Sequence, residues 1–198
     1  MTTEAVELGG EPWPVELMNT VWADRQGVHD TLDDPEQARA WFGGAARGLG
    51  RPDGTVDDEA LRRLRALRDA LRCLAAEATA DDRPTWTSPV TDADQAVAVV
   101  NDAASAAPTW SALERDEGGA LVRVTRSHGS AALAVVAAVA EQAVDLLAGS
   151  ADLRACRAPG CVLYFVRQHA RREWCSAGCG NRARVARHYR RHHGGQFE

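Results

Sequence analysis

The strongest pattern in the chain is a run of apolar residues at intervals of three and four. Leu61, Leu64, Leu67, Leu71, Leu74 and Ala78 fall on one face of a helix spanning Asp57 to Thr79. The other face carries Arg62, Arg63, Arg65, Arg68 and Arg72 with Asp58, Glu59, Asp69 and Glu77 interspersed. It reads as a solvated face, with a nucleic-acid patch as the rarer alternative. Asp33-Asp34-Pro35-Glu36 opens an earlier helix, in which Trp41 and Phe42 face inward and Gly43-Gly44 loosens the end. Asp92 to Ala107 predicts a further helix with Val97, Val100 and Ala104 on one side. Ser130 caps an alanine-rich helix running to Leu147, and Gly149 ends it. Period-two alternation over Thr109–Arg115 and Ala120–Arg126, around Asp116–Gly119, predicts a hairpin. Glu16 to Ala23 is short and mixed, and is read as a strand or extended lead-in rather than the first turns of a helix. Asp81 to Pro89 is a proline-containing linker. The glycines from Gly48 to Gly54 match no phosphate-binding motif, so a nucleotide site has no support.

These elements predict an α+β fold, mostly α, with a small antiparallel hairpin. A length of 198 residues, 45% of them hydrophobic, suits one ordinary domain plus a small module. The apolar stretch Ala131–Leu147 is broken by Glu141, Gln142 and Asp145, which reads as a buried helix rather than a membrane span. The start, MTTEAVELGG, lacks a basic and apolar export signal, so the expected location is cytoplasmic. No triad, paired-carboxylate pocket or open metal position is visible, and no enzymatic activity is expected. Cys73, alone in its helix, reads as a core thiol.

Charge divides the chain unevenly. The total is −5, yet residues 151–198 hold ten arginines against Asp152, Glu173 and Glu198, which leaves −12 on residues 1–150. An acidic body beside a basic end would orient the protein on a polyanion. Every basic residue counted is arginine; codon bias in a GC-rich genome would account for that.

The basic end also carries the chain's chemistry. Cys156-x4-Cys161 and Cys175-x3-Cys179 are two close pairs separated by thirteen residues, spacing that lets four thiolates surround one tetrahedral zinc ion. Two disulfides would need an oxidising compartment. A four-sulfur site is closed to water, so the zinc would be structural. In a segment too short for an adequate core, metal binding would supply roughly 10–16 kcal/mol to folding. Between the pairs, Val162–Val166 followed by the polar Arg167–Glu173 and Trp174 reads as a hairpin. Ser176 caps a helix reaching Arg191 whose first turn carries the second pair, although Gly178 and Gly180 weaken it by about 0.8–1 kcal/mol each. Knuckle, hairpin and ligand-bearing helix together describe a treble-clef finger, and the short connection Ser150–Arg154 implies that it packs against the body.

The string Trp174-Cys-Ser-Ala-Gly-Cys-Gly-Asn-Arg-Ala-Arg-Val185 closely resembles the CGNR zinc-finger family, over Arg154 to Arg191. In that family the finger follows a domain called ABATE, whose opening resembles Leu17-Met-Asn19-Thr20 followed by Arg25. The resemblance implies an ABATE domain over residues 1–149, linked with stress-induced transcription regulation and small-ligand sensing, and a CGNR finger over residues 150–198. It implies a DNA-binding regulator. Asn19 and Arg25 are candidate ligand-binding residues through their several donors; the alternative is that Asn19 caps local backbone and Arg25 pairs with Asp24 or Asp30.

On a helical wheel Arg182, Val185, Ala186 and Tyr189 share a stripe expected to face inward, with Arg182 and Asn181 bracing the metal turn. Arg184, Arg187 and Arg191 share the opposite stripe, with Arg190 at its edge, and form the candidate nucleic-acid surface. Arg171 and Arg172 are expected to help from the hairpin arm. His188, His192 and His193 read as exposed residues of a basic helix. Three classes of function remain distinct: a one-component DNA-binding regulator, a protein-interaction module with a zinc clip or an RNA binder, and an enzyme. A homodimer is expected for the regulator, since one small finger gains specificity from a second copy.

Overall fold

The computed structural model describes residues 10–51, 56–83 and 88–193. The readings of the first nine residues, of Gly54 in the glycine loop and of Pro84 in the linker lie outside them. The described residues form an α+β fold that is mostly helical, with three separate two-stranded antiparallel sheets.

Helix α3 (Asp58–Ala78) is the axis of the body. Its leucine stripe packs against α4 (Ala93–Ser105) and α5 (Ala131–Ala148), and the short α1 (Trp13–Met18) closes the cluster against α3 and α5. Helix α5 is long and apolar enough to cross a membrane, but Val135, Val136, Val139 and Ala140 are packed inside this core. Asp57, Asp92 and Ser130 each cap a helix by accepting a backbone N–H from the first turn.

Helix α2 (Pro35–Gly48) starts as expected, with Asp34 accepting from the N–H groups of Glu36 and Gln37. It does not loosen at Gly43-Gly44 but runs on to Gly48, where Trp13 lies so close that an added Cβ would sit 2.3 Å from its ring. Trp13 meets Trp41 edge-on at 5.9 Å, which fixes α1 against α2.

The Glu16–Ala23 stretch differs from its expected strand. Residues 13–18 are helical, and only Val21–Ala23 (β1) is extended, paired with Val28–Asp30 (β2). The reason is tertiary: Val15, Leu17 and Met18 are wholly buried between α3 and α5, a demand that local propensity does not report.

The second hairpin forms around Asp116–Gly119 as expected, Thr109–Arg115 (β3) pairing with Leu121–Ser127 (β4) so that Arg115 faces Leu121. Leu113 and Leu121 are exposed on it. At the carboxyl-terminal end Leu153–Ala155 (β5) pairs with Tyr164–Val166 (β6), and Ala177–His193 forms α6. The strand partner of Tyr164–Val166 therefore precedes the first cysteine pair. Among the described residues, 167–174 contain no strand, so the hairpin expected between the pairs is replaced by one that encloses Cys156 and Cys161.

The arginine face of α3 is solvated only in part, with Arg62 exposed. Arg68 and Arg72 are 6% and 1% exposed. Arg68 pairs with Asp30 at 2.6 Å and Asp69 at 3.0 Å, Arg63 bridges Glu59 and Asp102, and Arg65 donates to the carbonyl of Leu32. The guanidinium groups tie α3 to β2, to α4 and to the segment entering α2, which removes most of the charge needed for a nucleic-acid patch.

Candidate metal centre and nucleic-acid interface

Two separate backbone devices bring the cysteines together. Cys156 follows β5 directly, its N–H donates to the carbonyl of Leu163 at 2.9 Å, and Cys161 closes a turn onto Ala158 at 3.0 Å. Gly160 adopts a φ of +71° in that turn, a conformation glycine takes without a Cβ clash. Cys175 and Cys179 flank the start of α6, where Ser176 Oγ accepts the Cys179 N–H at 3.2 Å. Gly180 lies under Trp174, and a Cβ there would come within 3.1 Å of the indole. Packing against Trp174 is therefore what this glycine provides in return for its weak helix propensity.

All four sulfurs lie within 4.8 Å of one another. Cys175 Sγ is 3.3 Å from Cys179 Sγ and 3.8 Å from Cys161 Sγ. A tetrahedron with zinc–sulfur bonds of about 2.3 Å has edges of about 3.8 Å, so the thiols already stand near ligand spacing. Each is a free thiol, and Cys156, Cys161 and Cys179 are buried. Hydrogen bonds from the neighbouring cysteines pull Cys156 down to about 7 and Cys179 below the ordinary thiol range, while the same contacts push Cys161 and Cys175 up. So compact a set cannot hold four thiolates without a cation. The four cysteines fit one structural zinc ion, with no protein position left open for a substrate. Cys73 is a buried core thiol of α3, outside this group.

Arg182 Nη2 donates to Cys179 Sγ at 3.0 Å and so places positive charge beside the excess negative charge of a four-thiolate site. Asn181 does not brace the turn as expected: its side chain is exposed and has no hydrogen bond among the described residues.

The finger is held by the body through a polar joint around Tyr164, which is fully buried. Asn19 clamps its backbone twice, donating to the Tyr164 carbonyl at 2.9 Å and accepting the Tyr164 N–H at 2.8 Å. The Tyr164 ring lies between Arg72 and Arg83, 5.5 and 4.9 Å from their guanidinium carbons. Its hydroxyl donates to Asp81 at 2.8 Å. Arg83 Nη1 stands 3.1 Å from the carbonyls of Cys156, Cys161 and Leu163, spanning the whole first knuckle. Arg72 donates to the carbonyls of Met18 and Val162, at 3.0 and 3.4 Å. Burial would raise Asp81, but hydrogen bonds from Arg83 and Tyr164 outweigh it and hold the carboxyl below its ordinary value. Burial lowers Arg72, whose described partners are carbonyls rather than a carboxylate.

Residue by residue, the candidate sites divide. Arg184, Arg187, Arg190 and Arg191 are exposed along α6, and none forms an ion pair among the described residues. Arg171 is exposed as well. Arg172 is not a helper at this surface: it binds the Glu11 carboxylate, donates to the carbonyls of Val166 and Cys175, and stacks over Phe165 at 5.0 Å. The inward stripe of α6 is also corrected. Val185 and Tyr189 are each 62% exposed, because past Ala183 the helix leaves the finger core.

Asn19 and Arg25 are not brought together as a ligand pair. Both polar atoms of Asn19 are taken by Tyr164, and Arg25 is exposed at the tip of the β1–β2 hairpin. The acids considered for Arg25 are engaged elsewhere, Asp24 with His29 at 2.8 Å and Asp30 with Arg68. The residues that sequence reasoning missed are Glu11, Arg72, Asp81, Arg83 and Tyr164. Their partners lie as far as 161 residues away in the chain, so no local pattern marks them.

A helical body fused to a four-cysteine finger defines a zinc-binding protein. The family model for ABATE, described as "Putative stress-induced transcription regulator", matches residues 11–150, and that for the CGNR zinc finger matches residues 153–192. The chain belongs to the ABATE family and carries a CGNR zinc finger. A search of curated proteins finds no match.

Proposed function

We propose that the protein is a DNA-binding transcription regulator in which a zinc-braced finger of treble-clef type presents α6 to duplex DNA, and the helical body senses a small ligand. The single observation that carries the DNA half is the state of the α6 arginines. Arg184, Arg187, Arg190 and Arg191 are exposed on a helix that leaves the finger core, and no carboxylate among the described residues neutralises them. Arg184 and Arg191 are seven residues apart on one face, about 10 Å along the axis, a length that follows roughly three base pairs. The net charge of −12 on residues 1–150 turns the body away from phosphate. The reading is of a cytoplasmic, non-catalytic protein acting as a homodimer on paired half-sites.

Fluorescence anisotropy with duplex DNA tests it. Four to five phosphate contacts give a slope of roughly −4 in log affinity against log salt, and Arg184→Ala/Arg187→Ala reduces its magnitude by about 1.8. Zinc content stays at one per chain. Equal affinity of the double variant and the native protein at every salt concentration would overturn the reading, and preferential binding to RNA would redirect it.

A further inference from the structure

We propose that the groove between α3, α4 and α5 is the ligand site of the body, and that it takes a small amphiphile with an apolar frame and a cationic amine head. The groove encloses about 350 Å3, within the range of small-molecule sites. Its walls are apolar: Leu74 from α3, Val97 and Val100 from α4, and Val144 and Leu147 from α5. Val97 and Val144 remain 46% and 41% exposed.

Two polar side chains line the same groove, Glu77 and Asn101. Neither has a hydrogen bond or ion pair among the described residues. Glu77 supplies a carboxylate, Asn101 both a donor and an acceptor, and no cationic side chain lines the groove. With −12 on residues 1–150, the electrostatic preference is for a cation over an anion.

The groove also lies against the finger joint. A second cavity of about 450 Å3 shares Ala78 and Leu147 with it and extends over Ala80, Gly149 and residues 151–154, the connection into β5. Between them α3 ends in a hydrogen-bonded reversal, with Ala80 N–H donating to Glu77 and Asp81 N–H to Ala76. Ala80 holds φ at +46° there, and the next residues carry Asp81 and Arg83 onto Tyr164 and the knuckle. A head group on Glu77 therefore binds the last turn of the helix that positions the clamp. This regulatory consequence rests on the regulator reading above; the binding itself does not.

Isothermal titration with 4-phenylbutylamine, 4-phenylbutan-1-ol and 4-phenylbutyrate, three probes sharing one apolar frame, tests the site. The amine is expected to bind about tenfold more tightly than the alcohol, and the carboxylate more weakly than either. Glu77→Gln should bring amine and alcohol within about twofold while preserving alcohol binding. Val144→Arg, at an exposed position, should abolish saturable binding of all three with the fold intact by circular dichroism. Absence of saturable binding, a preference for the carboxylate, or unchanged binding in Val144→Arg overturns the proposal. So does a concentration-dependent dimer that Val144→Arg dissolves without any probe binding, which would assign the groove to a second copy. Amine binding without DNA binding refutes the regulator reading alone, and DNA binding without amine binding refutes the groove alone.

Discussion

Replacing Arg83 by methionine isolates the joint between body and finger. The change keeps the aliphatic stem but removes the donors that reach the carbonyls of Cys156, Cys161 and Leu163, and leaves Asp81 behind. The Asp81 side chain is 0% exposed, and its remaining partners are the Tyr164 hydroxyl and the backbone N–H of residue 83, at 2.8 and 3.1 Å. Removing one member of a buried ion pair costs about 3–5 kcal/mol, and this term dominates. The carbonyl loss is smaller, about 1 kcal/mol, because Leu163 keeps the N–H of Cys156. We expect a loss of about 4–5 kcal/mol in urea unfolding with zinc present, equivalent to a fall in Tm of roughly 10–15 °C for a chain of this size. Asp81→Leu/Arg83→Met removes the stranded charge as well and should recover about 2 kcal/mol, a non-additive result diagnostic of direct coupling. Zinc should also pass more readily to a chelator in Arg83→Met, since the knuckle loses its brace. A loss below about 1 kcal/mol, or additivity of the two single substitutions, would refute the joint as described.

Three further outcomes are expected. Burial, outweighing the hydrogen bond from the Glu11 N–H, raises Glu16 from 4.5 to about 7, so the folded state keeps a proton that the unfolded chain releases. Stability should fall by up to about 3 kcal/mol as pH rises from about 4.5 to about 7, and Glu16→Gln should flatten that slope in urea titrations across the range. Ala80→Gly should raise stability by about 0.5–1 kcal/mol, because glycine occupies the positive-φ position of a helix-ending reversal without a Cβ clash, as Gly50 does after α2 at φ +67°; an unchanged or lower midpoint would refute it. Arg182→Ala should retain one zinc per chain but lose it to a competing chelator about tenfold faster, as the Cys179 thiolate gives up a charge-assisted donor. Equal release rates would place Arg182 outside the metal's environment.

The parts of this structure legible in the sequence are those written locally. The leucine interval of α3, the caps Asp57, Asp92, Ser130 and Ser176, and the cysteine spacing each express a relation among residues a few positions apart. What escaped is tertiary. A helical wheel places Arg68 and Arg72 on the polar side of α3, yet the carbonyls that bury Arg72 belong to Met18 and Val162, 54 and 90 residues distant. Leu153–Ala155 is too short to announce itself as a strand and becomes one only because Tyr164–Val166 folds back over the knuckle. Apolar spacing on α6 predicts an inward stripe because it cannot report that the helix has outrun its neighbours.

The threading of Tyr164 between Asn19, Arg72, Asp81 and Arg83 bears on how the protein can be dissected. A fragment cut at the seam between the two family matches would strip the knuckle of its guanidinium brace and bare Tyr164, while the amputated body would keep Asp81 with no phenol to bind. Grafting this finger onto a foreign scaffold therefore requires carrying the tail of α3 along with it.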